Sequence, residues 1–107
     1  MTKEEANSRF LEVLHEGIPF FQIVSDTYRQ QIVVMLSEVD EMNVSAISQR
    51  INLSRTAVSH HLKLLRQVGL ISTEKRGKEI FCHLTIAKPL KILKEMTFII
   101  ENYCVVR

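Results

Sequence analysis

One short stretch near the middle of the chain holds the side chains best suited to a chemical task. Projected at about 100° per residue, Arg55, Thr56, Ser59, His60, Lys63, Arg66 and Gln67 fall on one arc of a helix. Ala57, Val58, His61, Leu62, Leu64, Leu65 and Val68 fall on the other. Any surface helix is amphipathic, so the separation alone says little. The polar arc, however, carries guanidinium, ammonium, hydroxyl, imidazole and amide groups and no carboxylate. That set suits phosphate oxygens and base edges better than it suits plain solvation.

Further along, Lys75-Arg76-Gly77-Lys78 puts three cations on a short turn between two runs of period two, 70–74 and 79–84. Such a β-hairpin tip can straddle a phosphate backbone. The charge distribution agrees. Residues 1–48 hold three basic and eight acidic groups, whereas 49–107 hold eleven basic and four acidic, within a net charge of only +2. A compact positive stripe on a nearly neutral chain is the footprint of a polyanion partner.

These groups need elements to position them. Ala6, Phe10, Val13 and Leu14 predict a helix over 3–16, ended by Gly17-Ile18-Pro19. Ser25-Asp26 caps a second helix to about Glu38, expected to bury Tyr28, Ile32, Met35, Leu36 and Val39. Residues 40–43 read as a polar loop. Two short helices follow, 44–51 and 55–68, with Asn52 in a turn that favours a left-handed backbone and Ser54 as the next cap. Ile47, Ile51, Leu53, Val58 and Leu62 lock that pair as a helix-turn-helix. After the two-stranded wing over 70–84, a last helix spans 88–103. The expected fold is mainly α with a small β-hairpin: a winged helix-turn-helix of five helices, forming one domain over 1–107. With 46% hydrophobic and 24% charged residues, the composition is globular. The longest apolar run, 32–36, is far short of the about 20 residues a membrane span needs, and no apolar signal follows the polar N-terminus. A cytoplasmic protein with free thiols is expected.

The run from Asn43 to Ile71 closely resembles the ArsR-type winged-helix repressors, most recognisably in Val58-Ser59-His60-His61-Leu62-Lys63-Leu64-Leu65-Arg66. Ile23 to Arg29 is similar to the family's entry to its second helix. The resemblance covers about 8–103 and implies a homodimeric transcriptional regulator, usually a repressor released by an effector, with first and last helices at the dimer interface. An apolar surface on the last helix too wide for one small core gives the dimer a physical reason of its own. The interface is expected to use Phe10, Leu14, Leu93, Met96, Ile99, Ile100 and Tyr103. Double-stranded DNA is expected to meet Gln49, Ser54, Arg55, Thr56, Ser59, His60, Lys63, Arg66, Lys75, Arg76 and Lys78.

The chain departs from the metal-sensing members. Their thiol motif at the start of the helix-turn-helix is replaced by Glu41 to Ile47 without cysteine, and 88–103 contains neither Asp nor His. His60 and His61 project about 100° apart, and Cys82 and His83 face opposite sides of a strand. No metal and no cofactor are expected, and the effector stays unidentified. No phosphate-cradling glycine loop or catalytic constellation is present, so no enzyme is expected. The competing readings are a thiol-responsive repressor using Cys104, a winged-helix module that binds protein, and a constitutive regulator without an effector.

Overall fold

The computed structural model describes residues 1–105. The element order is α1 (Lys3–Ile23), α2 (Thr27–Ser37), β1 (Met42–Asn43), α3 (Val44–Ile51), α4 (Arg55–Gln67), β2 (Ile71–Arg76), β3 (Glu79–Leu84) and α5 (Ala87–Tyr103).

A capping box opens α1: the Thr2 hydroxyl accepts from Glu5 N–H and the Glu5 carboxylate accepts from Thr2 N–H. The expected stop at Gly17-Ile18-Pro19 is overturned, for α1 runs on to Ile23 with Pro19 inside it. One proline removes a single backbone donor, and packing on α5 holds the rest. Gly17 serves that packing, because a Cβ there would lie 2.9 Å from the Phe21 ring and 3.5 Å from Ile92 Cγ2.

Asp26 caps α2, accepting from Arg29 N–H at 3.0 Å. Ile32, Met35 and Leu36 are buried as expected, but Tyr28 and Val39 are exposed. Tyr28 lies at the helix edge beside the His61 ring, and Val39 follows the helix end. The expected polar loop also contains β1. Met42 pairs with Cys82 and Asn43 with Phe81, so the wing is part of a three-stranded antiparallel sheet in the order β1-β3-β2.

Asn43 caps α3, accepting from Ala46 N–H. Asn52 takes the left-handed conformation at φ 55°, and Ser54 caps α4 by accepting from Ala57 N–H at 3.1 Å. Gly69, at φ 76°, ends α4 with Leu70 N–H donating to Leu65 O. The core under this motif joins Ile32, Leu36, Ile47, Val58, Leu62, Leu65, Ile71 and Cys82. The hairpin turn is narrower than expected. Arg76 pairs with Glu79 across the strands, so Gly77-Lys78 alone turns the chain, while Lys75 and Arg76 are strand residues.

Helix α5 packs along α1. Arg9 reaches Glu95 while Gly17 lies against Ile92, so the two run antiparallel. Among the described residues, no helix is long and apolar enough to cross a membrane.

Candidate nucleic-acid interface

The apolar arc of α4 fixes which way its polar arc points. Val58, Leu62 and Leu65 are buried in the core, Val68 is half-buried against it, and Ala57, His61 and Leu64 are half-buried. Arg55, Thr56, Ser59, His60, Lys63, Arg66 and Gln67 are all exposed, as the spacing requires. Among the described residues, no carboxylate pairs with Arg55, Lys63, Lys75 or Lys78. Arg66 donates to the Thr73 hydroxyl at 3.2 Å, tying the end of α4 to the wing. Gln49 is exposed on α3 and Ser54 at the start of α4, where its hydroxyl already serves the cap. Between α4 and the sheet lies a cleft of about 230 Å³ lined by Ser59, Lys63, Arg66, Thr73 and Ile80.

Strand alternation divides the wing cations. Directly paired residues share a sheet face. Thr73 pairs with buried Cys82 and Lys75 with Ile80, so Lys75 belongs to the face turned toward α4. Arg76 belongs to the other face, with Glu74 and Phe81. There its guanidinium donates to both oxygens of Glu41 (Nη1 to Oε1 at 2.7 Å), donates to Glu74 at 3.1 Å, and lies 4.4 Å over the Phe81 ring. The Arg76 hydrogen bonds hold the Glu41 carboxyl below its ordinary range. Among the described residues, Lys75 and Lys78 are left as the wing's unpaired cations.

Behind α4 sits a half-buried group that the sequence alone did not assemble. Arg29 Nε donates to Ile23 O at 2.6 Å, and its Nη1 donates to His61 Nδ1 at 3.1 Å. A guanidinium only donates, so Nδ1 accepts and the imidazole is neutral in this arrangement. Burial lowers the His61 pKa, against the opposing pull of Asp26 4.0 Å away. The end of α1, the first turn of α2 and the middle of α4 are thereby linked. Asp26-x-x-Arg29 announces the cap, but nothing in the spacing announces His61 as the partner.

The thiols differ. Cys82 is fully buried, and burial pushes it up to about 11. Cys104 is exposed at the end of α5. Among the described residues, no three His, Cys, Asp or Glu side chains come together as a metal site.

The α1–α5 pair has two unlike flanks. On one, Arg9 is held by Glu95 at 2.7 Å and 2.9 Å, with Glu12 and Glu16 beside it. In two antiparallel helices packed face to face, the opposite flanks also lie side by side. There Leu11, Ile18 and Phe21 of α1 join Leu93 and Ile100 of α5, all exposed. Phe10, Leu14, Met96 and Tyr103 are half-buried beside them. Ile99 is a correction: at 2% exposure it is spent inside the protomer, on the line of α5 that also buries Ile92. The sequence hides this part of the flank, because a helix ending at Gly17 leaves out Ile18 and Phe21, and Leu11 lies off the stripe of Ala6, Phe10, Val13 and Leu14.

A family model described as bacterial regulatory protein, arsR family, matches residues 26–73. The cadmium resistance transcriptional regulatory protein CadC of Listeria innocua serovar 6a is 38% identical over 77 residues, 72% of this chain and 62% of that protein. The match thus spans less than two-thirds of that relative's length. The transcriptional repressor SdpR of Bacillus subtilis is 34% identical over 64 residues, 60% of this chain and 70% of that protein. The structure of reduced HlyU from Vibrio cholerae N16961 superposes with a TM-score of 0.59 at 29% identity, covering 98% of this chain and all of that one.

Proposed function

The chain belongs to the arsR family of bacterial regulatory proteins, and on that premise we propose that it is a homodimeric transcriptional repressor that binds operator DNA in the cytoplasm. The observation that carries this reading is the polar arc of α4, which is wholly exposed, free of carboxylates and flanked by the unpaired cations of the wing.

In the proposed complex α4 enters the major groove. Its N-terminal residues Arg55, Thr56, Ser59 and His60 reach base edges, because the start of such a helix lies deepest. Lys63, Arg66, Gln49, Lys75 and Lys78 meet phosphates on either side, the backbone running through the cleft between α4 and the sheet. Ser54 keeps its hydroxyl on the cap and orients the first turn.

The dimer is proposed to form on the apolar flank of α1 and α5. Covering Leu11, Ile18, Leu93 and Ile100 with the same patch of a second copy gives a twofold interface. Such an axis sets two copies of α4 about one DNA turn apart. Release is proposed to come from an effector other than a metal at the family's usual positions, since those positions lack ligands in this chain.

Selection of genomic fragments with purified protein, followed by binding at two salt concentrations, tests the reading. A recovered fragment bound at least about 10³-fold tighter than random duplex, with affinity falling as salt rises, is expected. Salt-independent binding, or equal binding to all duplexes, contradicts it.

A further inference from the structure

We infer that Arg76 and Glu41 form a brace that sets the pose of the wing, so that Arg76, the central cation of the basic tip, acts by positioning and not by touching DNA. The inference rests on the DNA-binding reading above. Three observations carry it. Strand alternation places Arg76 on the sheet face away from α4, whereas Lys75 lies on the face toward it. The guanidinium is already engaged by both oxygens of Glu41, by Glu74 and by the Phe81 ring at 4.4 Å. Glu41 immediately precedes β1, so the contact ties the far end of β2 to the segment entering the helix-turn-helix, 35 positions away in the chain.

A hairpin anchored only at its base swings. Fixing Arg76 to Glu41 holds the tip at one angle to α4, and that angle decides whether Lys75 and Lys78 meet a phosphate while α4 sits in the groove. Bidentate pairing on a planar guanidinium is directional in a way a single ammonium contact is not.

The brace makes a prediction opposite to simple electrostatics. Glu41→Gln removes a negative charge close to the DNA-facing region, which by charge alone should tighten binding. If Glu41 positions the wing, the variant binds a random-sequence duplex about threefold or more weakly. Arg76→Lys keeps the net charge but loses the fork. A phosphate contact would survive that exchange, and a brace does not, so Arg76→Lys is expected to weaken binding to a similar degree with an unchanged salt slope. Backbone hydrogen exchange across 71–84 in the free protein should speed up in both variants. The charge-reversed pair, Glu41→Arg with Arg76→Glu, should recover part of the affinity. Unchanged or tighter binding by Glu41→Gln, or full activity of Arg76→Lys, overturns the inference. If the unsubstituted protein binds no duplex, it is the DNA-binding reading that fails, while unchanged hydrogen exchange across 71–84 in both variants would overturn the brace on its own.

Discussion

On the apolar side of the α1–α5 pair, Leu11, Ile18, Leu93 and Ile100 lie bare, while Arg9 is held on the opposite flank by Glu12, Glu16 and Glu95. Across α4 and the near face of the wing the situation is reversed: the apolar groups are inside, and among the described residues Arg55, Lys63, Lys75 and Lys78 have no carboxylate partner. Exposed hydrocarbon invites a surface that excludes water, and unpaired cations invite phosphate. The contrast teaches that counting charges is not enough, because Arg9 and Arg76 carry the same charge as Arg55 and yet both are committed within the protein.

Breaking the apolar region should have the largest effect. Leu93→Glu places a charge on the proposed twofold face without touching the core. A monomer in sedimentation analysis is expected, with operator affinity lower by a factor of about 10² or more once the two half-sites act separately. A variant that stays dimeric would move the interface elsewhere.

Next come the base-reading candidates. Arg55→Ala and Ser59→Ala should each cost roughly 1–3 kcal/mol per site and relax preference at one base position. Competition between selected and random duplexes measures this directly. Equal losses on both duplexes would reassign these residues to the backbone.

The phosphate candidates sharpen the contrast in a quieter way. Lys63→Ala and Lys75→Ala should weaken all sequences alike and flatten the salt slope by about one unit for each phosphate no longer neutralised. A change of sequence preference with Lys75→Ala would mean that the wing reads bases.

The smallest effect concerns the group behind α4. His61 has a lowered pKa in the folded protein, so the unfolded chain binds its proton more readily. The stability due to the neutral imidazole is therefore complete above the unfolded value of about 6.5 and is lost as pH falls from there through the lower folded value. Thermal unfolding should show this decline just below neutrality, and His61→Gln should remove it. A variant with the same decline would place the proton elsewhere.

What was legible in the sequence was local. The arc of α4, the left-handed Asn52 and the caps at Asp26 and Ser54 depend on neighbours within a few residues, and all appear as expected. What was illegible depends on distant partners. Pro19 reads as a stop until α5 is packed on α1, and Met42-Asn43 reads as loop until β3 is beside it. Arg76 looks like a free cation until Glu41 is folded next to it. Ile99 looks like its neighbour Ile100 until the crossing of the two helices decides which is inside.

The most direct test of the account is chemical-shift mapping of the protein on adding a selected duplex, because it reads both regions at once. The account predicts shifts concentrated at 54–67 and around Lys75 and Lys78, with the flank of Leu11, Ile18, Leu93 and Ile100 unmoved in an already formed dimer. Shifts confined to that apolar flank, with α4 silent, would contradict it.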